Sequence, residues 1–413
     1  MHCNLHACHH MKNPLTMSQR QLERSILIVA YHFPPLAAAA CLRAAHVATL
    51  LAEREWNVCV LHAAPDRDDP TDALWAAELE ACGIERVAIE PVAVPSLARH
   101  SMLRVWLMHR VRNPFRTASD YYARWEQQAL NAAERRARQK PFNLVLGIAP
   151  PLSVAHAAEA IARRLGVPFA LDLGERLDLL AHQAPSYAGR SQENTIEYLL
   201  RKAFYVTVTS RREKEQLLRR FDVLTHEEVG ILPHRVQMPR SSAHVHEGRR
   251  LFLVADELAT TLVRPILAAV RNQQKLQLVI VGRAPKSLGK LISSWQLGEH
   301  VRHVGGLTLS GLDEWITSSD GAIALATRWC STPSSVVERI VGAGLPLLVI
   351  GELAPAFVAD LPSENICIAT KTTASAVRSA LSRLLELQRG EPRQQDESYE
   401  REFSRRLGMV MKL

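Results

Sequence analysis

The residues from Thr332 to Pro346 have the types and spacing to hold an oxyanion. Thr332 can cap a helix, Pro333 suits the first helical position, and Gly344 ends the helix. Val336, Val337, Ile340 and Val341 form one apolar stripe, which lays the helix against a core. The N-terminus then offers free N–H groups, the positive end of the helix dipole and the hydroxyls of Ser334 and Ser335, a combination that favours a diphosphate. Glu338, one turn further in, can accept hydrogen bonds from a ribose diol. The same residues also describe an ordinary capped helix with a surface glutamate, and spacing alone does not separate the two readings.

The elements that must position this helix are legible as alternation. Ser25–Tyr31 is a continuous apolar run, as expected of a strand buried on both faces. A helix near Leu42–Arg54 and a strand at Val58–His62 complete a βαβ unit. Further strands are expected at Leu144–Ile148, Phe169–Leu173 and Tyr205–Thr209, with helices between them. Around Val236–Arg250 the hydrophobic period lapses, and we read this stretch as a linker. Alternation resumes with strands at Arg250–Val254, Leu276–Gly282, Val301–Val304, Gly321–Ala326 and Leu345–Ile350. The pattern predicts two doubly wound α/β domains, residues 25–235 and 251–392, after an irregular leader of residues 1–24 and before a terminal helix within residues 393–413. Two such sheets facing each other bring their carboxyl ends around one cleft, where a ligand belongs. No G-x-G-x-x-G follows the first strand and no Walker P-loop occurs, which argues against a dinucleotide oxidoreductase or a P-loop nucleotidase.

A chain of 413 residues, 47% hydrophobic and 22% charged, has enough apolar content for two or three cores. It contains no apolar run long enough to span a bilayer and no signal-peptide core, so a cytoplasmic protein is expected. The seven cysteines read as reduced thiols within apolar elements. In the leader, His2, Cys3, His6, Cys8, His9 and His10 match no zinc spacing, and Met11 or Met17 is an alternative start. No metal site is expected. The net charge of +8 points to anionic partners. Nucleic acid is disfavoured, because no binding motif accompanies the charge. Between Arg104 and Arg116, basic residues mix with large apolar ones, as in an interfacial helix pressed on the anionic inner face of a membrane, or in an amphipathic helix packed on its own domain.

The Thr332–Pro346 segment resembles the P-S/G-K-h-h-E-h-h-h-x-G-x-P stretch (h, apolar) of family-4 glycosyltransferases, with Pro333, Ser334, Glu338, Gly344 and Pro346 on the pattern. The resemblance extends over most of residues 25–413. Tyr31-His32-Phe33-Pro34-Pro35 with Arg43 and Trp56 resembles the opening of one branch, Asp120 and Trp125 its P-D…W turn, Pro150–His156 its P-P-x-S-x-x-H motif, and Phe169–Glu175 its D-F-R-D-P-W segment. Arg264-Pro265 and Gly282-Arg283 resemble donor-domain positions, and Tyr399–Leu407 resembles the helix that crosses back to the first domain. The resemblance implies a GT-B fold: two Rossmann-like domains facing across a cleft. It implies transfer of a sugar from a nucleotide-diphosphate donor, of UDP or GDP type, to a glycan or lipid-linked acceptor, with retention and without metal or other cofactor. On that reading His156 and Asp172 are catalytic, and Thr332, Ser334, Ser335, Glu338, Arg264 and Arg283 bind the donor. Arg43 and Glu175 line the acceptor side.

Several positions depart from the family pattern. The glycine-rich loop is Ala37–Ala40, Gly174 replaces an arginine, Glu175 replaces an aspartate, and Asp256-Glu257 stands where a glycine is usual. Cys330 and Ser335 replace a glutamate and a lysine. These losses support a competing expectation, a non-catalytic GT-B scaffold or partner subunit in glycan assembly. A nucleotide-sugar epimerase, which uses the same two-domain fold, is a third.

Overall fold

The computed structural model describes residues 24–92, 124–175, 189–235, 248–393 apart from 272, 274, 328 and 329, and 396–409. The leader, the Arg104–Arg116 segment, Asp120 and most of the linker lie outside the described residues. So do the side chains of Asp256 and Glu257.

The first domain runs β1 (Ser25–Val29), α1 (Cys41–Glu53), β2 (Asn57–Ala63), α2 (Ala73–Ala81), β3 (Glu85–Ile89), α3 (Glu126–Gln139), β4 (Leu144–Ala149), α4 (Leu152–Leu165), β5 (Phe169–Leu173), α5 (Gly189–Lys202), β6 (Tyr205–Val208), α6 (Arg211–Arg220) and β7 (Val229–Ile231). Its seven strands are all parallel, in the order β3-β2-β1-β4-β5-β6-β7. The apolar runs read from the sequence are the five central strands. The edge strands β3 and β7 escape that reading because they are short and only partly buried, so they carry no continuous apolar signature.

The second domain runs β8 (Arg249–Glu257), α7 (Thr260–Val270), β9 (Leu276–Arg283), α8 (Lys286–Ser294), β10 (Val301–Val304), α9 (Leu309–Ser318), β11 (Gly321–Leu325), α10 (Ser334–Gly342), β12 (Leu347–Ile350), α11 (Ala354–Phe357), β13 (Ile366–Ala369) and α12 (Ala374–Glu386), and is followed by α13 (Ser398–Met409). Its six strands are also parallel, in the order β10-β9-β8-β11-β12-β13. Each sheet has a hydrophobic cluster on both faces, the condition under which parallel strands are stable. The last helix, α13, belongs to the first domain's core: Phe403 and Leu407 are buried beside Ile26 and Leu50, and Trp56 donates to the Ser404 hydroxyl at 3.4 Å. This is the two-domain GT-B architecture. Among the described residues no helix is long and apolar enough to cross a membrane.

The strand order reverses at β1/β4 in the first sheet and at β8/β11 in the second. These switch points open crevices at the carboxyl ends of the strands. Helix α10 starts from the carboxyl end of β11, beside the second crevice, so its N-terminus faces the first domain.

Candidate functional site

Helix α10 begins one residue later than its sequence suggests. Pro333 is the N-cap and caps nothing, while the Thr332 hydroxyl donates to the Val254 carbonyl and accepts from the Leu325 amide at 2.9 Å. Thr332 therefore ties β8 to β11 and is not available to a ligand, which corrects the donor-binding role expected for it. The apolar stripe Val336, Val337, Ile340 and Val341 is buried in the second domain's core as expected.

The cap comes from the other domain. The Ser334 amide donates to Glu175 Oε1 at 2.9 Å and the Ser334 hydroxyl to Oε2 at 2.5 Å. Both carboxylate oxygens of Glu175 thus sit on the helix N-terminus, in the position expected for a phosphate. Burial pushes the Glu175 carboxyl up to about 7, with the Ser334 hydrogen bonds pulling down and nearby Glu213 pushing up. Glu175 was expected on the acceptor side; it instead bridges the two domains.

Arg283 follows the same rule. Gly282, at φ +132°, lies so close to β8 that a Cβ there would meet the Ala255 carbonyl oxygen at 1.7 Å, and this tight passage leads straight into Arg283. The guanidinium reaches Asp69 of the first domain at 2.6 Å. Arg264 does not join it. That side chain is exposed on α7 and stacks over Trp295 at 5.6 Å, a cation–π contact within the second domain. Its expected place at the donor phosphates is corrected accordingly.

Arg43 and Asp172 are turned on each other. Arg43 donates to Asp172 through Nε at 2.9 Å and Nη2 at 2.7 Å, and its Nη1 donates to the carbonyls of Leu232 and Pro233. Thr207 donates its hydroxyl to the same carboxylate at 2.6 Å, and Asp172 is 0% exposed. The pair is a buried clamp between α1, β5 and the segment after β7. A general base needs a face toward substrate, so the base and acceptor roles expected of these two residues are corrected. Gly174 makes the clamp possible, since a Cβ at that position would lie 2.6 Å from Arg43 Cγ.

Glu338 lies beside this clamp. Burial, with Glu213 and Glu175 nearby, pushes its carboxyl up to about 8, against the pull of Arg43 and the His234 amide. It borders an open cavity of about 410 Å³ that also touches Ser210, Arg211, Asp360, Arg393 and Tyr399. Ser335 lines a separate cavity of about 70 Å³ with His46, His234 and Arg339. His156 is elsewhere: Nδ1 pairs with Glu126 of α3 at 3.1 Å, and the ring leans on Tyr198 of α5. The Glu126 hydrogen bond raises its pKa. Its partners all belong to the first domain's helical layer, so its expected catalytic role finds no support in its contacts.

The loop Ala37–Ala40 is closed as its methyl groups suggest. Ala39 is 0% exposed within the second domain's core cluster, and Leu307 donates to the Ala37 carbonyl at 3.3 Å. Asp72, unremarked in the sequence, accepts from the Leu309 amide at the start of α9 at 3.0 Å while capping α2 through Trp75. Glu213 was also missed, although Ser210-x-x-Glu213 is a legible capping box. Ser210 accepts from the Glu213 amide at 3.2 Å, and Glu213 accepts from the Thr209 amide and hydroxyl.

No family model and no curated protein sequence matches the chain. Solved structures match nearly its whole length. Sucrose-phosphate synthase from Thermosynechococcus elongatus is 13% identical, with 94% of each chain covered and a TM-score of 0.59. The co-structure of MnaA from S. aureus with UDP is 12% identical, covering 94% of this chain and 97% of that one, with a TM-score of 0.63. UGT89C1 of Arabidopsis thaliana complexed with UDP is 13% identical, covering 94% and 100%, with a TM-score of 0.59. At such identities the likeness is one of fold, and it agrees with the two facing Rossmann-like sheets.

Proposed function

We propose that this chain binds a nucleotide-diphosphate sugar, of UDP or GDP type, and transfers the sugar with retention to a glycan or lipid-linked acceptor, as a divergent relative of family-4 glycosyltransferases. The observation that carries the reading is the N-terminus of α10. It lies at the switch-point crevice of the second sheet and already holds an oxyanion, the Glu175 carboxylate, through the Ser334 amide and hydroxyl. Two of the three neighbours named above are UDP complexes. In this reading α10 and Arg283 stabilise the leaving diphosphate, Glu338 holds the ribose, and no metal is needed. The site works at the cytoplasmic face of a membrane when the acceptor is a lipid. Thermal-shift titration with UDP, GDP, ADP and their sugar conjugates tests it, because a ligand selective for the native state raises the melting temperature. A saturable shift with one base supports the reading; no shift with any of them sinks it.

A second reading, a non-catalytic GT-B scaffold in glycan assembly, is favoured by one specific feature. The cavities that touch Ser334 and Ser335 measure only about 20 and 70 Å³, and the cavity of about 410 Å³, which falls within the roughly 300–1,000 Å³ of ordinary small-molecule sites, borders Glu338 but neither serine. Product analysis separates the two. Sugar transferred to an acceptor marks a transferase, donor altered without acceptor an epimerase, and nucleotide bound without turnover a scaffold.

A further inference from the structure

Around the α10 N-terminus and Arg283 the two domains are joined by acids of the first, at points a donor phosphate would use. Glu175 lies on the α10 N-terminus, with Ser334 donating at 2.9 and 2.5 Å. Asp69 lies on Arg283 at 2.6 Å. A third carboxylate, Asp72, takes the first amide of α9 at 3.0 Å. In all three contacts the anion comes from the first domain, and the N–H end or cation comes from the second.

We infer that Glu175 and Asp69 are internal stand-ins for the donor's phosphates, so that the closed molecule is self-inhibited and donor binding must displace them. This rests on the reading of α10 as the phosphate site. Two independent observations support displacement over permanent glue. First, the cavities that touch Ser334 and Ser335 measure only about 20 and 70 Å³, so a phosphate reaches these N–H groups only by displacing the Glu175 carboxylate, while the open cavity of about 410 Å³ beside Glu338 has room for the rest of a nucleotide. Secondly, Glu175 is a poor anion in its own setting. It is faced by Glu213 of α6, by Glu338 of α10 and, as a partial offset, by Arg43 of α1, and burial holds its carboxyl near 7. A diphosphate brings more charge and more acceptor oxygens to the same N–H groups. Asp69 is held by geometry alone: it pairs with Arg283 at 2.6 Å and accepts from the Asp66 amide at 3.0 Å. The apparent affinity of the site is then its intrinsic affinity scaled down by the small open fraction, and removing a stand-in raises it.

The experiment is calorimetric titration of the full chain with pyrophosphate and with UDP, comparing wild type, Glu175→Gln, Glu175→Ala and Asp69→Asn, each checked for a cooperative melt. The expected result is a gain of roughly tenfold in affinity for pyrophosphate and UDP in the Glu175 variants and a smaller gain in Asp69→Asn. Equal or weaker binding in folded Glu175 variants overturns the inference, because Glu175 would then be neutral toward the ligand or part of its site. Absence of pyrophosphate binding in every variant overturns it as well. The nucleotide reading is judged separately. UDP binding alike to wild type and variants leaves that reading standing without the stand-in, whereas tighter pyrophosphate with no preference for any nucleotide keeps the stand-in and removes the reading.

Discussion

Arg43 and Asp172 form a bidentate pair, at 2.9 and 2.7 Å, with the carboxylate wholly inside the protein and a third hydrogen bond arriving from Thr207. Removing one member leaves the other charge buried and uncompensated, a loss of about 3–5 kcal/mol. Asp172→Asn and Arg43→Met should both unfold at much lower urea concentration than wild type. If Asp172→Asn kept the wild-type midpoint while abolishing sugar transfer, the carboxylate would be a catalytic base after all.

The carboxyls of Glu175 and Glu338, raised from 4.5 to about 7 and about 8, make stability depend on pH. A raised acid binds its proton more tightly in the folded state, so its contribution is complete below 4.5 and is lost as pH rises toward the folded value. Buried His32 and His62, both lowered to about 4, work in the opposite direction between that value and 6.5. Comparison with Glu338→Gln cancels the histidines. The variant should melt with wild type near pH 5 and progressively above it up to pH 9. A difference that stays constant across that range would show that Glu338 ionises normally.

If Glu338 holds the ribose, Glu338→Ala should weaken UDP by about tenfold, the worth of a hydrogen bond or two. Pyrophosphate, which has no ribose, should bind the variant as it binds wild type. Parallel losses for both ligands would place the effect in the helix and not in a ribose contact.

His156 titrates upward because Glu126 accepts its hydrogen bond at 3.1 Å. Proton NMR should show the His156 pKa falling in Glu126→Gln. The pair stabilises the fold fully below about 6.5, the ordinary histidine value, and that contribution disappears as pH rises through the higher folded value. His156→Ala should leave UDP affinity unchanged; a large loss would return the imidazole to the binding site.

Phe403 of α13 is 1% exposed in the first domain's core. Phe403→Ala should cost about 3–5 kcal/mol, read from the urea midpoint. A loss below about 1 kcal/mol would mean that the crossing helix is only loosely seated.

The sequence by itself determined the alternation of ten of the thirteen strands with helices, and the existence of α10, because each is a property of a local window. A buried parallel strand is written as a continuous apolar run, a helix as a 3.6-residue stripe, and an end as proline or glycine. Which groups meet across the cleft lies beyond any such window. Ser334 and Glu175 are 159 residues apart, and Arg43 and Asp172 are 129 apart. The helix end was legible as an anion site, and Arg283 as a cation near it. That both are held by carboxylates of the first domain, while Arg43 and Asp172 hold each other, was decided only when the two sheets docked. An unpaired N–H or a buried charge must find a partner wherever the packing supplies one, and in the closed cleft the partners within reach were the chain's own acids.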